Sequence, residues 1–273
     1  MKKFEGILIC TDLDGTLLRD DKSISKENLD AIEYFKSEGG LFTFITGRMP
    51  YFVEKLYRTV NANAPIGCIN GGGIYDYDAH RYLWSLTLSP DVIDLVEYAD
   101  RNIEGLGIQI NAMERLYFSR ENSAMEIFRQ GSGLPNLVKP YREVDEPIGK
   151  IVFGDEDPDK LARLAQLLAA HPRAAEFDFV RSDLILYEIV PKGVNKGSVL
   201  PKLAELLGLD PNRTIGIGDY NNDVTLLQAA GLGVAVDNAV PEVKAVADVI
   251  TVSNEDHAIA AIVSALDSGE IKI

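Results

Sequence analysis

A chain of 273 residues has room for one large domain, or for a core domain that carries a smaller second one. Hydrophobic residues make up 46% and charged residues 25%, ordinary values for a soluble globular protein, and no apolar run approaches the roughly 18 residues of a membrane-spanning helix. A net charge of -15 argues against nucleic acid and anionic membranes as partners, because both select basic surface, and it leaves any anionic substrate to be drawn in by local features.

In chain order, residues 6–11 read as a buried strand that runs into Asp12-Leu13-Asp14-Gly15-Thr16. The paired lysines Lys2-Lys3 ahead of it do not make a signal peptide, because the apolar run is too short and the two aspartates interrupt it; the cytoplasm is the expected compartment. Leu29, Ile32, Tyr34 and Phe35 recur at near-helical spacing and predict a helix over 26–38, stopped by Gly39-Gly40. Residues 41–46 then read as a strand, 50–61 as a helix and 66–70 as a strand. Such alternation predicts right-handed crossovers and a mostly parallel sheet with helices on both faces.

From Gly71 the pattern changes. Residues 71–88 look like a hairpin turning near Asp78-Ala79-His80, and Ser89-Pro90-Asp91 opens a helix. Two strands are expected over 106–118, a helix over 121–130, a strand over 150–154 and a helix after Asp157-Pro158. Residues 177–180 and 184–190 read as two more strands. This predicts a separate α+β unit over 84–189, inserted into a core made of 1–83 and 190–273. The alternation then returns: a helix at 195–208, a strand at 214–218, a helix at 222–230, a strand over 231–236, a helix at 241–247, a strand at 248–251 and a last helix from 256. Cys10 and Cys68 sit inside apolar runs and read as buried thiols in a reducing compartment, and the three scattered histidines offer no zinc spacing.

Open parallel sheets bind ligands outside the carboxyl ends of their strands, and four predicted strand ends carry polar residues there. Asp12 and Asp14 end the first; two apart on a strand, they should face the same crevice. Their mutual repulsion calls for a cation. The second strand ends in Thr46, whose hydroxyl, with the N–H of Gly47, suits an anionic oxygen. The third offers Asn70, the fourth Asp219, Asn222 and Asp223. Lys196 lies at a predicted helix start, where exposed N–H groups favour an anion. Several carboxylates and one lysine suit Mg²⁺, a hard ion that prefers oxygen ligands and a phosphate.

The set "DLDGTLL", "FITGR", "INGGGIY", "KGVNKG", "GIGDYNND" and "VAVDNA" resembles the haloacid dehalogenase (HAD) superfamily over the whole chain, closest to its Cof-type, class IIB phosphatases. The resemblance implies a Rossmann-like parallel-sheet core with an inserted α+β cap of the C2B type. It implies Asp12 as the nucleophile that takes a phosphoryl group, Asp14 as general acid and base, and Thr46 and Lys196 as holders of the phosphoryl oxygens. Asp219 would bind Mg²⁺ with Asp12 and the backbone carbonyl of Asp14, supported by Asn222 and Asp223, while Asn195 would reach the substrate phosphate or nearby groups. The implied activity is Mg²⁺-dependent hydrolysis of small phosphorylated metabolites through an aspartyl phosphate, with specificity in the cap closing over the leaving group. A phosphotransferase or mutase, or a non-catalytic phosphometabolite-binding regulator, is the alternative. Two loops depart from the family pattern, Val236-Asp237 before Asn238-Ala239, and His257-Ala258-Ile259 after Asn254-Glu255-Asp256. The sequence names neither the substrate nor the oligomeric state.

Overall fold

The computed structural model describes residues 2–132 and 137–273. In chain order it places β1 (Leu8–Thr11), α1 (Lys26–Ser37), β2 (Leu41–Phe44), α2 (Pro50–Val60), β3 (Ile66–Cys68), β4 (Gly73–Asp76) and β5 (Arg81–Ser85) first. Next come α3 (Val92–Asn102), β6 (Gly107–Ala112), β7 (Leu116–Arg120), α4 (Ser123–Ser132), β8 (Ile148–Gly154), α5 (Pro158–Ala169), β9 (Phe177–Asp183) and β10 (Leu186–Pro191). The chain ends with α6 (Lys196–Leu206), β11 (Thr214–Gly218), α7 (Val224–Ala229), β12 (Leu232–Ala235), α8 (Pro241–Lys244), β13 (Val249–Ile250) and α9 (Ala258–Ser268). These elements form two compact units, Met1–Trp84 with Asn195–Ile273, and Ser85–Val194. No described helix is long and apolar enough to cross a membrane.

The first unit holds a five-stranded sheet in the order β13-β12-β11-β1-β2. Every pairing in it is parallel, with Ile9 opposite Ile215 on one side and Phe42 on the other. Leu8, Ile9 and Cys10 are consecutive and fully buried, so both faces of β1 are covered, which is why the run is continuously apolar rather than alternating. Leu8 and Cys10 pack with Val199, Leu200 and Leu203 of α6 and Leu226 of α7. After β1 the chain moves outward to β2, and later returns to β11 on the opposite side of β1. That reversal makes the carboxyl end of β1 the switch point of the sheet, the place where this kind of sheet binds its ligands.

The strand expected over 66–70 is shorter and joins a different sheet. β3 ends at Cys68, because Ile69 and Asn70 take φ +56° and +52°. It pairs antiparallel with β4 in a three-stranded sheet with β5, and its parallel relation to the second strand survives as one bridge, Ile45 to Gly67. The helix expected at 241–247 is only the four residues of α8.

The second unit carries an antiparallel sheet in the order β7-β6-β8-β10-β9. Alternate residues Ile108 and Ile110, and Ile151 and Phe153, face a core completed by Leu95 of α3 and Leu161 and Leu164 of α5. The intervening positions include buried polar residues: the Lys150 ammonium donates to Glu188 Oε1 at 2.8 Å, and Ser182 donates to the same oxygen.

At the start of α9, His257 holds φ +66°, a left-handed conformation, and caps the helix without a side-chain hydrogen bond. A side chain there costs ~1–2 kcal/mol through its Cβ, against ~0.4–1 kcal/mol of extra unfolded-state entropy for glycine. His257→Gly should therefore raise the unfolding free energy by about 0.8 kcal/mol in urea melts, the balance of these two effects. A clear loss would mean that the contacts of His257 to Arg19 and Glu27 outweigh the backbone strain.

Candidate active site

β1 ends at Thr11, yet the Asp12 N–H still donates to Ile217 O at 2.9 Å, so the nucleophile candidate leaves the sheet in register. The chain then turns through Gly15 at φ +76°. A Cβ on Gly15 would lie 2.4 Å from Asp219 Oδ2, so only glycine lets the Asp219 carboxylate approach this turn. Thr16 fixes that carboxylate from the other side, donating to Asp219 Oδ1 at 2.7 Å.

The two aspartates do not share one environment. Lys196 is 1% exposed and places its ammonium 2.8 Å from Asp12 Oδ1 and 2.6 Å from Asp223 Oδ1. The second Asp223 oxygen accepts the backbone N–H groups of Asp219 and Tyr220, both at 3.1 Å. Asp223 thus spends one oxygen on holding Lys196 and the other on the turn after β11. Asp14 meets different cations: Arg48 donates from Nε to Oδ2 at 2.9 Å and from Nη2 to Oδ1 at 2.7 Å, and Lys22 donates to Oδ1 at 3.0 Å. Within the protein the two carboxylates thus meet different cations, Asp12 the Lys196 ammonium and Asp14 the Arg48 guanidinium and Lys22 ammonium.

Each carboxylate titrates according to these surroundings. Burial pushes Asp12 up to about 8; the pull of Lys196 only partly opposes it, and Asp223 and Asp219 add to it. Burial likewise lifts Asp219 to about 6 against the hydrogen bond from Thr16, with Asp223 adding to the rise. For Asp14, burial is outweighed by the Arg48 guanidinium and the Lys22 ammonium, which hold the carboxyl below its usual range. Burial would lower Lys196, but Asp12 and Asp223 reverse this and raise it.

Of the other residues singled out in the sequence, Thr46 is buried, accepts the Arg48 N–H on its hydroxyl and accepts the Asn70 N–H on its carbonyl. A Cβ on Gly47 would lie 2.8 Å from Asn70 Oδ1, and that oxygen accepts Asn222 Nδ2 at 3.1 Å. The left-handed turn at Ile69 and Asn70 therefore ties the end of β2 to the turn after β11. Gly71, at φ +99°, continues it; a Cβ there would meet Asn195 O at 2.0 Å. Asn195 itself caps α6, accepting the Ser198 N–H at 2.9 Å, and so orients the helix whose first residue is Lys196.

Sequence reasoning assigned no role to Arg48, Lys22, Thr16 or Asn238. Arg48 was visible as the last residue of "FITGR"; Lys22 lies in a turn with no signal of its own. Asn238 donates to Gly15 O at 2.7 Å and accepts the Asn254 N–H, while Asn254 donates to Leu18 O.

Oxygens of Asp12, Asp219 and Asp223 lie within 4.8 Å of one another. Three carboxylates against one ammonium leave surplus negative charge, and two of the three are raised by burial, so the donor set fits a hard divalent cation.

A family model described as haloacid dehalogenase-like hydrolase matches residues 9–263. The chain is 30% identical over 263 residues to the putative phosphatase YxeH of Bacillus subtilis (strain 168), covering 93% of this chain and 95% of that one. It is 28% identical over 258 residues to the 5-amino-6-(5-phospho-D-ribitylamino)uracil phosphatase YitU of the same organism, covering 93% and 94%. Among solved structures, a haloacid dehalogenase-like hydrolase from Bacteroides thetaiotaomicron superposes with a TM-score of 0.86 over 95% of this chain and 99% of that one, at 24% identity. A parallel sheet that buries a lysine between two carboxylates at its strand ends, and a family match over nearly the whole length, lead to one assignment: the chain belongs to the haloacid dehalogenase-like hydrolases.

Proposed function

We propose that the protein is a Mg²⁺-dependent phosphatase that hydrolyses a small phosphorylated metabolite, a sugar or sugar-alcohol phosphate, through an aspartyl phosphate on Asp12. One observation carries it: Asp12 directly follows β1 with Lys196 2.8 Å from its carboxylate and Asp219 and Asp223 beside it. The sugar-alcohol class is in keeping with the ribityl phosphate named in the substrate of YitU. Nucleic acid and membrane lipid are not the ligands in this reading, in keeping with the net charge of -15, and two buried thiols suit a cytoplasmic protein.

Asp12, Asp219 and the carbonyl of Asp14 would hold the ion, with Asn222 and Asp223 in support. When bound, Mg²⁺ supplies positive charge for the phosphoryl oxygens and lets Asp12 stay ionised. A carboxylate oxygen of Asp12 attacks phosphorus; the new P–O bond forms as the bond to the alcohol oxygen breaks, and Asp14 delivers a proton to that oxygen. Lys196 and Thr46, with the Gly47 N–H, hold the phosphoryl oxygens as charge spreads over them. Asp14, now a carboxylate, takes a proton from water as the water oxygen attacks phosphorus, which releases phosphate and restores Asp12. Asp223 keeps Lys196 charged and aimed, and Asn195 caps the helix that carries it. None of these residues belongs to Ser85–Val194, and substrate preference is assigned to that unit.

The chemistry is tested by incubating the protein with phosphorylated sugars and sugar alcohols and reading inorganic phosphate. Release should require Mg²⁺, stop with EDTA and be lost in Asp12→Asn; a rapid quench should leave a phosphoryl adduct mapping to Asp12. Transfer of the phosphoryl group to a second sugar without phosphate release would favour a phosphotransferase, and an adduct elsewhere would remove Asp12 as nucleophile.

The metal is tested through stability. Without an ion, Asp12 and Asp219 bind a proton more tightly folded than unfolded, so the stability this contributes is full below about pH 4 and is lost as pH rises through about 6 and about 8. A divalent cation takes the ionised carboxylates and offsets that loss. The rise in melting temperature on adding Mg²⁺ should be small at pH 5.5, grow toward pH 8, and shrink at every pH in Asp219→Ala. Equal shifts at both pH values would count against these carboxylates as ligands.

A further inference from the structure

The loop that follows β12 touches both turns that carry the proposed metal ligands. Its Val236 N–H donates to Gly218 O at 3.3 Å and its Val240 N–H to Asp219 O at 2.9 Å, so its backbone is joined to the end of β11 and the turn after it. Between these two contacts the side chain of Asn238 leaves the loop and donates to Gly15 O at 2.7 Å, in the turn after β1. Gly15 holds φ +76° and belongs to the residue type with the most backbone freedom, so the peptide that follows it depends on an outside contact for its orientation. That peptide leads to Thr16, whose hydroxyl donates to Asp219 Oδ1 at 2.7 Å. The contacts close a ring: Gly15, Thr16, Asp219, Val240 and back to Asn238. Asn238 is exposed, yet both ends of its amide are used, because its Oδ1 accepts the Asn254 N–H at 2.9 Å. Asn254 is buried and donates to Leu18 O at 3.1 Å, farther along the segment that starts at Gly15.

We propose that Asn238, tied in place by Asn254, is a positioning residue that sets the spacing between the Asp14 carbonyl and the Asp219 carboxylate, and through it the preference of the site for Mg²⁺. The inference rests on the reading given above that these two groups hold the ion. Asn238 itself touches neither ion nor substrate; it acts through the Gly15 peptide. Mg²⁺ demands near-ideal octahedral geometry, whereas Ca²⁺ accepts flexible coordination by oxygen ligands. A loosened spacing therefore penalises the smaller ion more.

The test is calorimetric titration of the full-length protein with Mg²⁺ alone and with Ca²⁺ alone, in the absence of substrate. Asn238→Ala should weaken Mg²⁺ binding about 3- to 10-fold, the scale of one lost hydrogen bond, and Ca²⁺ binding by less than about twofold. Asn238→Gln, which keeps the amide on a longer chain, should lie between, and Asn254→Ala should show a loss of the same kind. Hydrolysis of 4-nitrophenyl phosphate by Asn238→Ala should need more Mg²⁺ but reach a kcat within about twofold of the unmodified enzyme once the ion saturates. A cooperative thermal transition without ion establishes folding; if Asn238→Ala does not fold, Asn238→Gln carries the same comparison. The proposal is overturned if Mg²⁺ binding is unchanged, which leaves Asn238 a merely structural role. It is overturned equally if both ions weaken alike, or if kcat stays low in saturating Mg²⁺. Asp219→Ala separates this from failure of the underlying reading: if Mg²⁺ binding survives there, the ligand assignment itself falls, whatever Asn238 does.

Discussion

Lys196 has an ammonium group almost wholly removed from water, and only its pairing with Asp12 and Asp223 offsets the desolvation. Much of the first unit's architecture serves that placement. Asn195 caps the helix that begins at Lys196, Gly197 lies against α7 so closely that a Cβ would meet Thr225 O at 2.2 Å, and Asp223 is pinned by two backbone N–H groups of the turn after β11. Removing one partner would leave a buried charge without compensation, which costs ~3–5 kcal/mol. The lysine thus couples folding to chemistry: the contacts that make its burial tolerable are those that bring positive charge to Asp12.

Two carboxylates lie two residues apart, and the fold solves their repulsion by division rather than by sharing. Asp12 remains with the sheet, enclosed with Lys196, Asp219 and Asp223, where burial favours its neutral form and a bound cation would favour its ionised one. Asp14 is carried out by the turn at Gly15 to Arg48 and Lys22, which favour its ionised form without any metal. Opposite shifts in two neighbouring groups of one residue type are what a site needs if one is to form a bond to phosphorus and the other is to move protons.

The parallel core and most strand positions were legible in the sequence, because buried strands read as continuous apolar runs. Asp12, Asp219, Asp223 and Lys196 were legible as residues at strand and helix ends, and the structure brings them into contact. The rest depended on information that no local pattern carries. The partners of Asp14 were not legible, because β1 ends at Thr11 and strand periodicity says nothing of which side chains reach the residues beyond it. The end of β3 was hidden because Ile69, a β-branched residue that favours strands, takes a left-handed conformation against its own propensity. The Asn70-Gly71 pair was the only hint of a turn there. Lys22 reaches Asp14 from a tight turn closed by the Arg19 N–H to Ser23 O, and nothing in its neighbours marks it.

The two loops that depart from the family pattern show how much of the site lies outside its charged residues. Asn238 follows Val236-Asp237 and precedes Ala239, yet it holds Gly15 O from one side and the Asn254 N–H from the other. Asn254 in turn donates to Leu18 O and Asp20 Oδ1, and Glu255 accepts the Asp20 N–H. Residues 15–20, the segment that leaves Asp12 and carries the chain toward Lys22, are clasped by side chains from two loops more than 200 positions away. The departures at positions 236, 237, 257, 258 and 259 leave this clasp intact because neither asparagine is among them. Side-chain amides suit such a clasp because each offers a donor and an acceptor, so a carbonyl on one side of it and an N–H on the other are satisfied together. Rigidity at Gly15 then reaches both carboxylates, Asp12 through the chain before it and Asp219 through the space that only glycine leaves open.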